Sequence, residues 1–341
     1  MNQEEPGKAQ LNNSKMNVLV TGGAGYIGSV ATEMLLDAGH NVVVYDNLVK
    51  GHTGAVDPRA LFVEGDLNEA ALLEDTLRTN HIDAVMHFAA FSLVPESMQD
   101  AAKYFSNNVS ASVTLVEAMV RTGVKMIVFS SSAATYGLPE EVPIRERDAT
   151  APINPYGESK LIFEHMLRWF DTVHGIKFVS LRYFNAAGAS KKFGEVHDPE
   201  THLIPLVLQV ALGQRPFIQI AGDDYPTQDG TAVRDYVHVE DLADAHILAL
   251  EWLSGGGESR IFNLGNGLGF SVKEVIETAR KVTGHEIAAQ VGPRRPGDPP
   301  SLVASSEEIT MTLGWKPKYA ALDQIIETAW EWHRRHPMGY E

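Results

Sequence analysis

Residues 18–28 read Val-Leu-Val-Thr-Gly-Gly-Ala-Gly-Tyr-Ile-Gly, and this stretch decides the fold of the chain. The apolar start predicts a buried strand, and apolar residues at helical spacing follow until Gly39, a residue type that often ends a helix. Glycines between a strand and a helix let the backbone turn sharply and approach a pyrophosphate, which the helix N-terminus attracts. The stretch therefore predicts a dinucleotide-binding turn that uses Gly22, Gly25 and Gly28.

A second strand is predicted over residues 41–45, and it ends at Asp46. A carboxylate at this place binds the ribose hydroxyls of adenosine and repels a 2′-phosphate, so Asp46 favours NAD over NADP. Glycine patterns of this kind also occur in ordinary tight turns. The strand before the turn, the helix after it and Asp46 together indicate nucleotide binding.

Strand and helix patterns continue to alternate along the first half of the chain. Further strands are predicted over residues 61–65, 84–88, 125–130 and 177–183, and helices over residues 69–78, 101–121 and 156–174. This alternation predicts an α/β fold with a doubly wound parallel sheet of the Rossmann type, whose ligands bind at the carboxyl ends of the strands.

The alternation weakens after residue 185, which suggests a change of lobe. Helices are predicted over residues 203–212, 239–253, 272–282 and 322–332, joined by short strands and long loops. We expect a flexible N-terminal extension over residues 1–15, an NAD-binding Rossmann domain over 16–185, and a smaller mixed α/β substrate-binding lobe over 186–341. The chain is free to cross back into the sheet after residue 185.

Composition excludes several classes of protein. The 341 residues carry a formal charge of -16, which disfavours nucleic acid and anionic membrane surfaces as partners. The chain has no cysteine, so disulfides and thiolate metal sites are excluded. No apolar run has membrane-spanning length and no secretory signal is apparent, so we expect a cytoplasmic protein.

Tyr156 and Lys160 are four residues apart on a predicted helix, so their side chains share one face. A nearby ammonium and a positive nicotinamide ring both favour phenolate, which lowers the pKa of a tyrosine and lets it accept a proton near neutral pH. Ser132 follows a predicted strand, where its hydroxyl can hydrogen-bond the reacting oxygen. These three residues are the candidate catalytic group.

Other polar residues are candidates for binding. Arg234 and Arg295 carry guanidinium groups that suit a diphosphate, although surface ion pairs use the same residue type. His197, Asp198, Glu200 and His202 fall in one loop, but their spacing matches no common metal site, so we expect no metal.

Together these residues resemble the extended short-chain dehydrogenase/reductase family, and within it the UDP-galactose (UDP-glucose) 4-epimerases. The resemblance runs from Asn17 to Tyr340. Its most specific segments are residues 21–28, 129–137, 154–160, 181–188, 223–241 and 294–298.

The resemblance implies a set of NAD contacts. Tyr26 and Ile27 would contact the pyrophosphate, Asp46 and Asn47 the adenosine ribose, and Asp66 and Leu67 the adenine. Lys160 would bind the nicotinamide ribose and Tyr156 would lie at the nicotinamide. The cleft would also be lined by Phe88, Ala89, Ala90, Asn107 and Phe184.

The resemblance also implies a UDP-hexose site. Ser132 and Tyr156 would flank the sugar O4, and the UDP part would be held by Asn185, Leu203, Arg234, Arg295 and Asp298. Two positions depart from the familiar bacterial pattern. His202 replaces an asparagine, and Leu302 stands where tyrosine excludes N-acetylated sugars and a small residue admits them.

The activity implied is interconversion of UDP-galactose and UDP-glucose: the sugar is oxidised at C4, the 4-keto sugar rotates, and it is reduced on its other face while NAD is regenerated. A 4-epimerase of UDP-N-acetylglucosamine or UDP-glucuronate is the alternative. A 4,6-dehydratase would need an acid and a base after Ser132, where Ala133 and Ala134 stand. A non-enzymatic NAD-sensing protein would not need the Tyr156–Lys160 pair.

The resemblance further implies a homodimer paired through helices around residues 107–120 and 162–170.

Overall fold

The structure is a computed structural model that describes residues 15–295 and 298–340. Apart from Lys15, the expected N-terminal extension lies outside the described residues. The described strands are β1 Asn17–Thr21, β2 Asn41–Asp46, β3 Leu61–Glu64, β4 Ala84–His87, β5 Met126–Ser132, β6 Lys177–Tyr183, β7 Asn185–Ala187, β8 Ile218–Ala221, β9 Val233–Arg234, β10 Tyr236–His238, β11 Arg260–Leu264, β12 Phe270–Ser271, β13 Ala289–Gly292 and β14 Ser301–Leu302. The described α-helices are α1 Tyr26–Asp37, α2 Ala70–Thr79, α3 Val94–Ser97, α4 Ala101–Phe105, α5 Ala111–Thr122, α6 Pro155–His174, α7 Leu203–Ala211, α8 Val239–Ser254, α9 Val272–Thr283, α10 Glu307–Leu313 and α11 Leu322–Arg335.

A seven-stranded parallel sheet in the order β11-β6-β5-β4-β1-β2-β3 confirms the predicted Rossmann-type fold. Alternation along β1 sends Val18 and Val20 into the core on one face and Leu19 into the core on the other. All three side chains are fully buried, as expected for a sheet covered on both faces. The strand order reverses between β1 and β4, and a crevice for a ligand opens there, at the carboxyl ends of the strands.

The helix predicted over residues 101–121 is interrupted in the structure. A π-helical turn, Ser106–Ser110, separates α4 from α5. Asn108 in this turn is buried, and its side chain bonds the backbone N–H and C=O of Phe91 at 2.9 and 3.0 Å and the Ser159 hydroxyl at 3.1 Å. Hydrophobic periodicity could not predict this interruption, because its partners come from distant segments. Turns of this kind are frequent at functional sites.

The smaller lobe is built from short sheets and three helices. Its sheets are β12-β9-β14, β10-β7 and β13-β8, and its core includes buried residues of α7, α9 and α11. The chain does return to the large sheet after residue 185: Val239 and Ala243 of α8 pack near Val30 of α1, and β11 pairs with β6. A single boundary at residue 185 therefore does not divide the two lobes. Within the described part of the chain, no helix is both long and apolar enough to cross a membrane.

Candidate functional site

The glycine turn between β1 and α1 leaves no space for side chains at two positions. Gly22 has φ +73°, and a β-carbon there would lie 2.6 Å from the Ala89 nitrogen. A β-carbon on Gly28 would lie 2.2 Å from the Gly22 carbonyl oxygen. Gly25 is the N-cap of α1 and no side chain caps it, so the first N–H groups of the helix face an open turn. This cradle fits the diphosphate of a dinucleotide.

Asp46 lies at the end of β2, beside this turn, and is 8% exposed. Its carboxylate accepts hydrogen bonds from the backbone N–H groups of Ala24 at 3.0 Å and Leu48 at 2.8 Å. Burial raises the pKa of Asp46, and these two hydrogen bonds oppose the shift. Asn47 donates a 2.7 Å hydrogen bond to Asp66, so three residues predicted to contact adenosine lie at one end of the crevice. Leu67, the fourth, is buried beside them.

The loop after β4 lies directly against the glycine turn. Phe88 and Ala89 both donate backbone hydrogen bonds to the Thr21 carbonyl, at 2.9 and 3.1 Å. Phe88 also packs against His246, with 4.6 Å between ring centroids. Asn107 lies in the π-helical turn and donates a 2.9 Å hydrogen bond to Asn108. Phe88, Ala89, Ala90 and Asn107 are half-buried, and their part in lining a cofactor cleft stays a prediction.

The first turn of α6 is held against the turn that follows β5. Asn154 caps the helix by accepting a 2.8 Å hydrogen bond from the Gly157 nitrogen. A β-carbon on Gly157 would lie 2.4 Å from the Ala134 carbonyl oxygen, so the backbones are in close contact. This contact brings Tyr156 of α6 next to Ser132 at the end of β5. The sequence of α6 or of β5 taken alone does not predict that the two side chains meet.

The ionisation of Tyr156 in the protein alone is governed by burial. Burial raises the pKa of Tyr156, and a hydrogen bond with Ser132 opposes the shift. The Lys160 nitrogen lies 5.9 Å from the Tyr156 ring centroid, and the lowering of this pKa by the ammonium together with a bound nicotinamide ring stays a prediction.

Lys160 is 3% exposed, and its Nζ donates a 2.8 Å hydrogen bond to the Ser130 carbonyl. Burial lowers the pKa of Lys160 to about 7, while the nearby Glu164 carboxylate opposes the shift. Its ammonium also lies 4.9 Å from the Phe129 ring centroid. Lys160 is therefore fixed at the carboxyl end of β5, on the same helix face as Tyr156.

A buried ion pair that the sequence analysis missed lies behind Lys160. Glu164 and Arg182 are both buried and form hydrogen bonds of 2.5 and 2.9 Å, and Ser131 donates a third bond of 2.6 Å to Glu164. The pair joins α6 to β5 and β6 directly beneath the candidate catalytic group. The only signal in the sequence was that Glu164 follows Lys160 by four residues and so shares its helix face. That spacing does not identify Arg182 as the partner of Glu164.

The residues predicted to hold the UDP part come from two short strands, the start of a helix and a loop. Arg234 lies opposite Leu302 in the β9–β14 pair and bonds Asp298 at 2.6 Å. Asn185 begins β7, lies opposite Tyr236 of β10, and donates a backbone hydrogen bond of 2.9 Å to Asp235. Leu203 is the first residue of α7, Phe184 lies between β6 and β7, and Arg295 is exposed. Pro296 and Gly297, within the 294–298 segment, lie outside the described residues.

The structure groups the polar residues of the 190–202 loop differently from the prediction. Glu195 joins His197, Glu200 and His202, with ligand-type atoms all within 4.8 Å of one another, whereas Asp198 is exposed. Burial alone would lower the pKa of each imidazole, but the carboxylates of Glu195 and Glu200 raise it to about 9 for His197 and about 10 for His202. We call Glu195, His197, Glu200 and His202 the loop cluster.

Comparisons with known proteins identify the family of the chain. Residues 18–265 match the NAD dependent epimerase/dehydratase family. The chain is 58% identical to the UDP-glucose 4-epimerase of Lacticaseibacillus casei over 95% of its own length and 99% of the relative's.

Solved structures extend the agreement to the fold. The UDP-glucose 4-epimerase of Brucella ovis in complex with NAD superposes with a TM-score of 0.91 at 46% identity, covering 93% of this chain and 98% of that one. The enzyme of Bifidobacterium longum in complex with NAD+ and UDP gives a TM-score of 0.90 at 38% identity, covering 95% and 100%. The chain therefore belongs to the NAD dependent epimerase/dehydratase family of extended short-chain dehydrogenases/reductases, in the branch of the UDP-glucose 4-epimerases.

Proposed function

We propose that this protein interconverts UDP-galactose and UDP-glucose at C4 with a bound NAD. The observation that carries the proposal is the convergence of Ser132, Tyr156 and Lys160 at the carboxyl end of β5, across the crevice from the glycine turn. The full-length similarity to UDP-glucose 4-epimerases supports the same reaction. The alternatives acting on UDP-N-acetylglucosamine or UDP-glucuronate are not favoured by these relatives.

The residues around the crevice fit NAD. Gly22, Gly25 and Gly28 provide the cradle for the diphosphate, and Asp46 provides the acceptor for the adenosine ribose. A bound NAD would supply the acceptor and donor for the C4 hydride of the hexose and a positive charge beside Tyr156. Lys160 would bind the nicotinamide ribose.

We propose that Tyr156 holds and returns the proton of the sugar O4 hydroxyl. Burial raises its pKa in the protein alone, so its phenolate requires the positive charges that meet at this site. Ser132 would donate a hydrogen bond to O4. Lys160 would contribute charge, since a pKa of about 7 leaves it partly cationic at neutral pH.

The proposed binding is asymmetric, because the nucleotide must stay bound while the hexose turns over. Arg234 is anchored by Asp298, which preorganises a guanidinium for the diphosphate. Arg295 is exposed and free to approach the same group from the loop. Asn185 and Leu203 would complete the nucleotide site, and no comparable set of ion pairs is proposed for the hexose.

Two other functions on this fold receive less support. A 4,6-dehydratase would require proton-transferring side chains directly after Ser132, where Ala133 and Ala134 form a 3-10 turn. A non-enzymatic NAD-sensing protein would have no use for a Tyr156 that lies on one helix face with the buried Lys160.

We propose a homodimer in the cytoplasm. Ile162, Met166, Trp169 and Val173 of α6 are exposed or half-buried at intervals of four, three and four residues, which is the spacing of a helix-pairing seam. Trp169 is 69% exposed, an unusual fraction for so large an apolar side chain on a monomer. A cytoplasmic location suits a cysteine-free chain, since it needs no oxidising compartment. Light scattering of Trp169→Glu against the parent protein tests the dimer.

Isotope retention tests the reaction. Purified protein is given UDP-galactose deuterated at C4, and the product is followed by NMR. The expected product is UDP-glucose that retains the label at C4, because the same hydride leaves and returns. Absence of epimerisation, or washout of the label into water, would contradict the proposal.

A further inference from the structure

The loop cluster lies between β7 and α7, outside the candidate catalytic group. It comprises two carboxylates and two imidazoles from one short segment: Glu195, His197, Glu200 and His202. Glu195 is 5% exposed, although no lysine or arginine forms an ion pair with it among the described residues. Two buried carboxylates so close together require compensating positive charge.

The distances in the loop cluster fit a central ion. The Nδ1 of His197 lies 3.2 Å from Glu195 Oε1 and 3.7 Å from Glu200 Oε2, and the Nδ1 of His202 lies 2.8 and 3.2 Å from Oε1 of the same two residues. Four ligands bound tetrahedrally to Zn²⁺ at 2.0–2.1 Å are separated by roughly 3.3 Å, which is close to these values.

Hydrogen bonding accounts for only part of the arrangement: Glu200 Oε1 accepts backbone N–H bonds from Thr201 and His202 at 2.7 and 2.8 Å, whereas the imidazole Nδ1 atoms are unpaired in the described part of the chain. Both Nδ1 atoms are buried, and within residues 15–295 and 298–340 neither has a hydrogen-bond partner of acceptable geometry. The nitrogens thus lie beside carboxylate oxygens without pointing an N–H group at them. Such unpaired buried atoms are rare in proteins, and an ion at their common centre would satisfy all of them.

We propose that Glu195, His197, Glu200 and His202 bind one divalent transition-metal ion, with Zn²⁺ as the favoured species. Imidazole ligands favour zinc over Mg²⁺ and Ca²⁺, which take oxygen ligands almost exclusively. Four protein ligands fill the tetrahedral positions, which is typical of a structural site. The ion would displace the protons of both imidazoles.

The proposed ion would connect the two lobes. His197 packs edge-on against Tyr26 of α1, with 6.4 Å between ring centroids, and Lys50 donates a 2.6 Å hydrogen bond to the Asp198 carbonyl. His202 is the N-cap of α7 and directly precedes Leu203. Fixing these ligands would fix the loop between β7 and α7, which packs against α1 and leads into the first turn of α7. The role is positional, and metal binding itself is independent of the proposed reaction.

Metal content and thermal stability test the proposal without substrate. Protein stripped with EDTA is titrated with ZnCl₂ by calorimetry, dialysed and analysed by mass spectrometry. We expect one equivalent of zinc per chain and a rise in Tm of roughly 5 °C at a hundredfold excess over Kd. Activity is measured separately, so a failure of the metal site is distinguishable from a failure of the epimerase proposal.

Variants locate the ion. Glu195→Gln and His202→Asn should each reduce zinc to less than about a tenth of an equivalent and abolish the rise in Tm. His285→Asn changes an exposed histidine that packs against Trp330, outside the loop cluster, and this variant should bind zinc like the parent. Circular dichroism and NAD content check that each variant is folded. The proposal would be overturned if His202→Asn bound zinc as well as the parent, or if the parent bound none. The carboxylates of the loop cluster would then be neutralised by protonated imidazoles and not by a metal ion.

Discussion

Lys160 is anchored to the strand that leads to Ser132, because its Nζ donates a 2.8 Å hydrogen bond to the Ser130 carbonyl. The lysine is almost completely buried, and no carboxylate forms an ion pair with it among the described residues. Its charge is thus held at the carboxyl edge of the sheet by a backbone oxygen. This arrangement leaves the remaining N–H groups of the ammonium available to a ligand in the crevice.

Replacing Lys160 should affect catalysis and cofactor binding together. We expect Lys160→Met to lower kcat by roughly 10² or more and to lower the amount of NAD that copurifies, because one group serves the ribose and the tyrosine. Initial rates and cofactor content measure both effects. Lys125→Met, which changes an exposed lysine, is the control. A variant with parental kinetics would remove Lys160 from the proposed site.

The same lysine should make stability depend on pH. Burial lowers its pKa from 10.5 to about 7, so the unfolded chain binds more protons than the folded protein between these values. The group therefore makes the free energy of unfolding rise with pH through that window. In urea unfolding, the stability of Lys160→Met relative to the parent should be greatest near pH 7 and decline toward pH 10. A difference that is constant with pH would contradict the lowered pKa.

Removal of the Tyr156 hydroxyl should abolish proton transfer while the fold is retained. Tyr156→Phe keeps the ring and its packing against Tyr104, at 6.5 Å between centroids, and removes only the acid–base group. We expect kcat to fall by roughly 10² to 10⁴, the usual contribution of such a group, with NAD content unchanged. Tyr319→Phe, a tyrosine stacked on His238 away from the crevice, should retain activity. Near-parental kcat in Tyr156→Phe would eliminate the assignment.

The buried pair beneath the site should matter for stability. Arg182→Met leaves the Glu164 carboxylate buried without its cation, so we expect a loss of about 3–5 kcal/mol in the free energy of unfolding. Arg121→Met removes an exposed pair with Glu74 and should leave stability almost unchanged. Denaturant titration of both variants measures the difference. Equal effects would mean that the buried pair has no special role.

Leu302 should tune the choice of sugar. It lies opposite Arg234 in the β9–β14 pair, next to the residue proposed to hold the diphosphate. Leu302→Ala should raise kcat/KM for UDP-N-acetylgalactosamine relative to UDP-galactose by roughly 10- to 200-fold, and Leu302→Tyr should lower it. Parallel assays with the two substrates measure the ratio. An unchanged ratio in both variants would place the specificity elsewhere.

Much of the larger lobe was predictable because its determinants are local. The strand and helix limits at β1 and α1 follow from apolar periodicity, and the glycine turn follows from the steric demands of Gly22 and Gly28. That Tyr156 and Lys160 share one helix face was also predictable, because they are four residues apart on the same helix. The family resemblance then supplied the candidate roles that no spacing could supply.

Tertiary structure alone decided the features that need partners distant in the chain. The π-helical turn depends on Asn108 reaching Phe91 and Ser159, and the buried pair joins Glu164 to Arg182 across two elements. Burial raised the pKa of Tyr156, an effect that no local pattern reports. Glu195, not Asp198, completes the loop cluster because the folded loop brings Glu195 beside both histidines. Local sequence sets backbone preference and side-chain periodicity, whereas desolvation and contact between distant side chains exist only once the chain has folded.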